Sequence, residues 1–366
     1  MPLTSTRKFS RAAILAALLI AALLFTAHYW PETQGSSREQ LLQFVPSDST
    51  AVVFLDLDEF RQSPFLARIY SWAPHPNEDS EYTQFVRDTG FSYERDLKAA
   101  VMAISNHTTT TNLLLVVDGR FDRKKIEAFL TRAGTSAQQG KLKVFSVNDA
   151  GVHEKPVSLA FLSDNRIAVT DAPSLAEQLA SAASNANHAE WNSRFDRLAG
   201  TPLFAVVHQD PVMHKALDSA APGGFRSPQL SALLDQLQWI SIAGKPDGQE
   251  LRAVAEGECQ SELASAQLRD MLQGILLLAQ NGLHDRKLRQ QMNPDEREAY
   301  LEILQGAEVQ KIDRGEWKTV RVALSITPKF LDVARIPYVG LAKPDDAAPA
   351  EKSKRPAGKS ASQKKD

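Results

Sequence analysis

Cysteine is almost missing from this chain: 366 residues carry one, Cys259. No internal disulfide can form, so a disulfide-stapled secreted fold is excluded and apolar burial must hold the body together. Acidic residues are missing before the first apolar run. An excess of either sign is missing overall; the formal net charge of −2 gives no global field for nucleic acid. Motifs of common chemistry are missing too: there is no Gly-rich phosphate loop, no Gly-x-Ser-x-Gly elbow and no His-Glu-x-x-His. No cofactor is therefore expected, and no catalytic, cofactor-binding or metal residue is assigned.

What is present begins with an uncharged run, Ala12–Ala27, extended to Trp30 by His28 and Tyr29. Arg7, Lys8 and Arg11 precede it. As a helix, residues 12–30 would extend about 28 Å, close to the hydrocarbon thickness of a bilayer. Tyr29 and Trp30 fall at headgroup level, and the basic flank marks the cytoplasmic end. A signal peptide cut after Ala27 or Thr26 would put Phe25 or Leu24 three residues back, where a small residue is wanted. The expectation is an uncleaved single-pass anchor in the inner membrane, partnered by the lipid bilayer through residues 12–30, with the body extracytoplasmic.

The remainder divides into a polar linker over 31–45, an α+β unit over 46–190, a second over 191–340 and a basic tail over 341–366. Ala51–Leu55 is β-branched and aromatic, of strand length. Ser80–Thr89 reads as a helix closed by Gly90. Ala99–Ser105 and Leu113–Asp118 read as paired strands, and Asp122 as the cap of a helix over 123–133. Leu142–Val147, Val157–Leu162 and Arg166–Thr170 follow, then a helix capped by Asp171 or Ser174. The alanine- and asparagine-rich stretch 181–188 marks the boundary between units.

The second half echoes the first. Val117-Asp118-Gly119 parallels Ala255-Glu256-Gly257, and the helices that follow carry Leu130 and Leu268 at matching places. The strands near 141–147 and 157–162 are matched with 308–312 and 319–326. Hairpin-linked strands imply antiparallel sheets, with helices expected on one face of each. Met271–Ala279 is apolar on nearly all sides and reads as a buried core helix. The tail suits anionic lipid or cell-wall polymer, or another envelope protein, through its lysines and Arg355; a solvated tail without a partner is the plainer reading.

Three patterns tempt a chemical assignment. Phe54-Leu55-Asp56-Leu57-Asp58 resembles the Asp-x-Asp opening of haloacid-dehalogenase-type phosphatases, in which the first aspartate attacks phosphorus. Phe60 stands where that motif has threonine or valine, and acids at a strand end also cap a following helix. His208, Asp210 and His214 have metal-ligand chemistry, but Pro211 interrupts them and the histidines do not share a helical face. Cys259 reads as a buried strand-end residue.

Pro46–Leu57, followed by Ser63-Pro64-Phe65-Leu66, resembles the opening of an uncharacterised family of bacterial membrane-anchored envelope proteins. The resemblance implies location and architecture and carries no chemistry. The expected function is a non-enzymatic interaction or scaffolding module of the envelope. The alternatives are an envelope hydrolase using Asp56/Asp58 or His208/Asp210/His214, and a small-molecule or lipid-binding module between the two units.

Overall fold

The computed structural model describes residues 37–65, 68, 80–106, 111–147, 156–183, 188–209, 236–315 and 317–333. The anchor run, the tail, and Asp210 and His214 lie outside the described residues. Among the described residues, no helix is long and apolar enough to cross a membrane.

The described body is α+β and is built on one antiparallel sheet. Twelve strands run in the spatial order β11-β12-β10-β9-β8-β1-β2-β3-β7-β6-β5-β4. They are β1 (Ser49–Asp56), β2 (Leu97–Asn106), β3 (Thr111–Gly119), β4 (Thr135–Gln139), β5 (Leu142–Val147), β6 (Val157–Ser163), β7 (Arg166–Thr170), β8 (Leu203–His208), β9 (Leu237–Asp247), β10 (Glu250–Cys259), β11 (Glu308–Arg314) and β12 (Trp317–Ile326). The two halves of the chain meet where β1 pairs with β8.

The register around that pair has local two-fold character. Phe54 faces Phe204, and their rings stack at 5.2 Å. Outward on one side, Phe54 faces Val101, Val101 faces Val116 and Val116 faces Ala168. On the other side, Phe204 faces Ala243, Ala243 faces Val254 and Val254 faces Ala323. Strand order β1-β2-β3-β7-β6 thus corresponds to β8-β9-β10-β12-β11, and β4–β5 is an added hairpin of the first half. The counterparts of β11 and β12 are β6 and β7, so the matching expected from sequence was displaced by one strand.

Helices pack on both faces, not one. Along β1, Val52 and Phe54 belong to one apolar cluster while Leu55 and the half-buried Val53 belong to another. Alternate residues of a strand point to opposite faces, so the two clusters lie on opposite sides of the sheet. The first face is covered by α1 (Ser37–Leu42), α6 (Leu175–Ala183) and α7 (His188–Arg197), through Leu41, Leu175, Trp191 and Phe195. The second face is covered by α2 (Leu57–Arg61), α5 (Arg123–Ala133) and α8 (Glu262–His284). The cause is legible in hindsight: Ala51–Leu55 and Leu113–Val117 are unbroken apolar runs, which need burial on both sides. α3 (Ser80–Thr89), α4 (Tyr93–Asp96), α9 (Arg286–Gln291), α10 (Pro294–Gly306) and α11 (Pro328–Val333) complete the described helices.

Two further expectations are corrected. The stretch 31–45 is not all linker, because α1 begins at Ser37 and Leu41 and Val45 are fully buried in the first cluster. The segment 271–279 is not a buried helix. It lies within α8, whose buried stripe runs through Ala264 and Leu268, leaving Leu277 and Leu278 58% and 73% exposed. α8 meets only the outer end of the sheet, so a single stripe suffices to dock it.

Candidate functional site

The acids at the end of β1 are engaged locally. Asp56 is the N-cap of α2 and accepts from the Glu59 backbone N–H at 3.0 Å. Asp58 pairs with Arg61 at 2.7 Å, and burial pushes its carboxyl above the ordinary range against that pairing. His208 stands at the opposite end of the β1–β8 pair, its ring 4.4 Å from that of Trp239. The Asp56 N–H donates to the Pro202 carbonyl, and His208 lies six steps of extended chain beyond Pro202, about 20 Å. The structure therefore does not bring Asp56 and His208 into one site. Among the described residues, no group of three His, Cys, Asp or Glu side chains is arranged to hold a metal. Cys259 is buried at the end of β10, where desolvation pushes its thiol up to about 11.

Ionic chemistry is concentrated elsewhere, on the first face of the sheet. Two residues beyond Val116 is Asp118, opposite Arg166; two beyond Val254 is Glu256, opposite Arg321. The same acid–arginine pair thus recurs at equivalent register positions. Each acid precedes a glycine, and at Gly119 the backbone leaves no room for a side chain. A Cβ on Gly119 would meet the Asp96 carbonyl oxygen at 2.7 Å, and one on Gly257 would meet a Leu237 methyl at 2.8 Å. The helices that follow also agree: Ile126 and Leu130 are buried eight and twelve residues after Asp118, as Ala264 and Leu268 are after Glu256.

The two acid–arginine sites differ in completeness. Asp118 is gripped bidentately by Arg166, with Nε to Oδ1 at 2.6 Å and Nη2 to Oδ2 at 2.8 Å. Arg166 also donates to Gln40 of α1 at 3.1 Å and lies over the Phe44 ring. One acid meets one base, and α1 closes over the pair. In the second half, Glu256 accepts from Arg321 Nε at 2.8 Å and from Arg314 at 3.0 Å. Two residues on, on the same face, Glu258 is 1% exposed and accepts from both Arg194 and Arg197 of α7. Burial opposes the charge on Glu256, but the Arg321 hydrogen bond and the Arg314 and Arg321 charges outweigh it and hold this carboxyl below the ordinary range. Burial likewise pulls Arg194 down, against the attraction of Glu258.

Aromatic rings wall the cluster. The Arg194 guanidinium stacks 3.8 Å from the Trp239 ring centre and 5.7 Å from that of Trp317. Its Nη1 donates to the Glu190 carbonyl at 2.7 Å. Trp317 faces Arg314 across β11–β12, and Thr319 faces Glu258 across β10–β12. Among the described residues, three buried polar groups here have no partner: Arg194 Nε, Arg314 Nε and the Thr319 hydroxyl. The Val117-Asp118-Gly119 and Ala255-Glu256-Gly257 match pointed to one acid in each half. Nothing in the sequence singled out Arg194, Arg197, Arg314, Arg321, Trp239 or Trp317, which join Glu256 and Glu258 from strands and a helix distant in sequence.

No family model matches this chain, and no curated protein matches it. Among solved structures it is similar to crystal form IV of TP0453, at 10% identity and a TM-score of 0.43, over 82% of this chain and 99% of that one. Crystal form III gives 9% identity and 0.40 over 80% and 96%; crystal form I gives 8% and 0.41 over 84% and 98%. Likeness at this level carries nothing about activity, ligand or location.

Proposed function

We propose that this chain is a non-enzymatic, single-pass protein of the bacterial inner membrane whose extracytoplasmic body serves as an interaction or scaffolding module. We further infer that the body arose by duplication of one strand–helix–hairpin–helix–hairpin unit. The observation that carries the location is the uncharged run Ala12–Ala27 behind Arg7, Lys8 and Arg11, with Tyr29 and Trp30 at its outer end. The repeated register and the repeated acid–arginine pair support the duplication. A broad antiparallel platform, with Asp56 taken up as a helix cap, suits docking better than bond cleavage.

The test is fractionation with proteolysis. The full-length chain should stay with inner membranes through an alkaline wash, keep its N-terminal residues by mass, and lose its body to protease added outside spheroplasts. Recovery of a shortened chain in the soluble fraction, or protection of the body, overturns the reading.

A second reading, a small-molecule binding module, is favoured by one observation: the unmatched arginines and orphaned donors beside Glu256 and Glu258.

A further inference from the structure

Every buried charge must be matched or it is expelled toward water. The first-half site obeys this with one carboxylate and one guanidinium, Asp118 and Arg166. The second-half site does not. Arg194, Arg197, Arg314 and Arg321 converge on two carboxylates, Glu256 and Glu258, so four positive groups meet two negative ones. The charge of Glu190 also acts on Arg194, so the excess among the described residues that form the cluster is at least one positive charge.

Hydrogen bonding tells the same story. Arg194 and Thr319 are 2% and 0% exposed, yet Arg194 Nε and the Thr319 hydroxyl have no partner. Arg314 Nε is equally unpartnered. A buried donor left unpaired costs about 1–3 kcal/mol, more when charged. All three groups can donate, so what completes them is an acceptor. The rim of the cluster meets solvent through Arg197, Arg314 and Arg321, whose side chains are 22%, 29% and 35% exposed, and the three unpartnered atoms lie beneath that rim.

We propose that the second-half cluster binds a phosphate dianion, free or as a phosphate monoester, between Arg194, Arg314 and Thr319. An anion's negative charge offsets the positive excess, and phosphate oxygens accept from guanidinium donors and a hydroxyl together. The tryptophan walls lower the local dielectric and strengthen each of these bonds. The paired copy around Asp118 is the built-in comparison. It shares the strand register, lacks the surplus arginines, and binds no anion. This proposal does not depend on the membrane location.

The experiment uses the full chain in a non-ionic, phosphate-free detergent. Tryptophan fluorescence and the thermal midpoint are followed as inorganic phosphate or glycerol 3-phosphate is added against sodium chloride of equal ionic strength. A saturable change with phosphate and none with chloride is expected. Arg314→Gln should weaken binding by roughly tenfold or more, the loss of one charged hydrogen bond. Thr319→Val should weaken it less and leave the fold intact. Arg166→Gln, which breaks the first-half pair, should lower the thermal midpoint yet keep the phosphate response. Binding of glycerol 3-phosphate but not inorganic phosphate would identify an ester as the ligand; equal binding would identify free phosphate as sufficient. Absence of a saturable response at millimolar phosphate, or a response that survives both Arg314→Gln and Thr319→Val, overturns the proposal.

Discussion

Cys259 shows how a single side chain is governed by its surroundings. Its thiol is 1% exposed and burial raises it to about 11, so almost no thiolate exists near pH 8. Native protein should resist iodoacetamide and be labelled fully once unfolded; rapid labelling of the native chain would show that β10 opens at its end. Glu256 behaves in the opposite sense. Its carboxyl is held below the ordinary range, so it contributes stability that is fully present above the unfolded value of about 4.3. That contribution is lost as pH falls through the folded value. Glu256→Gln should therefore lower stability at neutral pH and flatten the acid side of a pH–stability curve measured by urea denaturation. An unchanged acid limb would show that Glu256 is not the group responsible. The role of Asp56 was legible in the sequence because a capping carboxylate and the N–H that donates to it lie three residues apart. The Arg194–Glu258 contact was not, because 64 residues separate the partners and only the folded sheet joins them.

Strands and turns followed local rules closely enough to read. Gly90 closes α3 at φ +74°, and Asp122 caps α5 by accepting from the Lys125 N–H at 3.2 Å. Ser174, not Asp171, caps α6; the Asp171 carboxylate instead accepts from the Leu113 N–H at 2.7 Å. Burial was harder to read. α8 is apolar around much of its circumference, so its pattern could not say which side would meet the sheet. α1 hid behind a polar flank, although Leu41, Leu42 and Val45 fill the first cluster and Arg38 donates to the Phe195 carbonyl while lying over the Phe204 ring. Removing residues 1–30 should thus leave a folded body, whereas removing 1–45 should destabilise it by several kcal/mol, at about 1.5–3 kcal/mol for each buried leucine or valine. Matched thermal unfolding of the two truncations decides this. Equal midpoints would mean that α1 contributes nothing to the core.

Over the whole molecule, the halves do not keep separate interiors. Val52, Phe54, Val101 and Val116 from the first half share one cluster with Phe204, Val206, Trp239 and Ala243 from the second. Urea unfolding should accordingly be a single transition, with fluorescence and circular dichroism coinciding. Two resolved transitions would show that the β1–β8 seam is weak. The correspondence of Asp118-Gly119 with Glu256-Gly257 was visible in sequence, but the β4–β5 hairpin displaced the matching of the later strands. Only register could correct it, because hairpins look alike along a chain and differ in which neighbour they join. Among the described residues the outermost strands are polar: β4 is Thr-Ser-Ala-Gln-Gln, and β11 carries Glu308, Gln310, Lys311, Asp313 and Arg314. Such edges discourage further strands from joining the sheet.

The seam between Phe54 and Phe204 has one more consequence. Cut between the halves, the chain would yield two pieces, each with its first strand laid bare along one side. That side is a row of unpaired backbone N–H and C=O groups flanked by apolar side chains, already shaped to receive a strand of the same kind in antiparallel sense. The pieces would therefore be complementary fragments, each incomplete alone and each a template for the other. The intact chain acts as a tether that keeps the right fragment at hand, so that the open side is filled from within before a stranger can reach it.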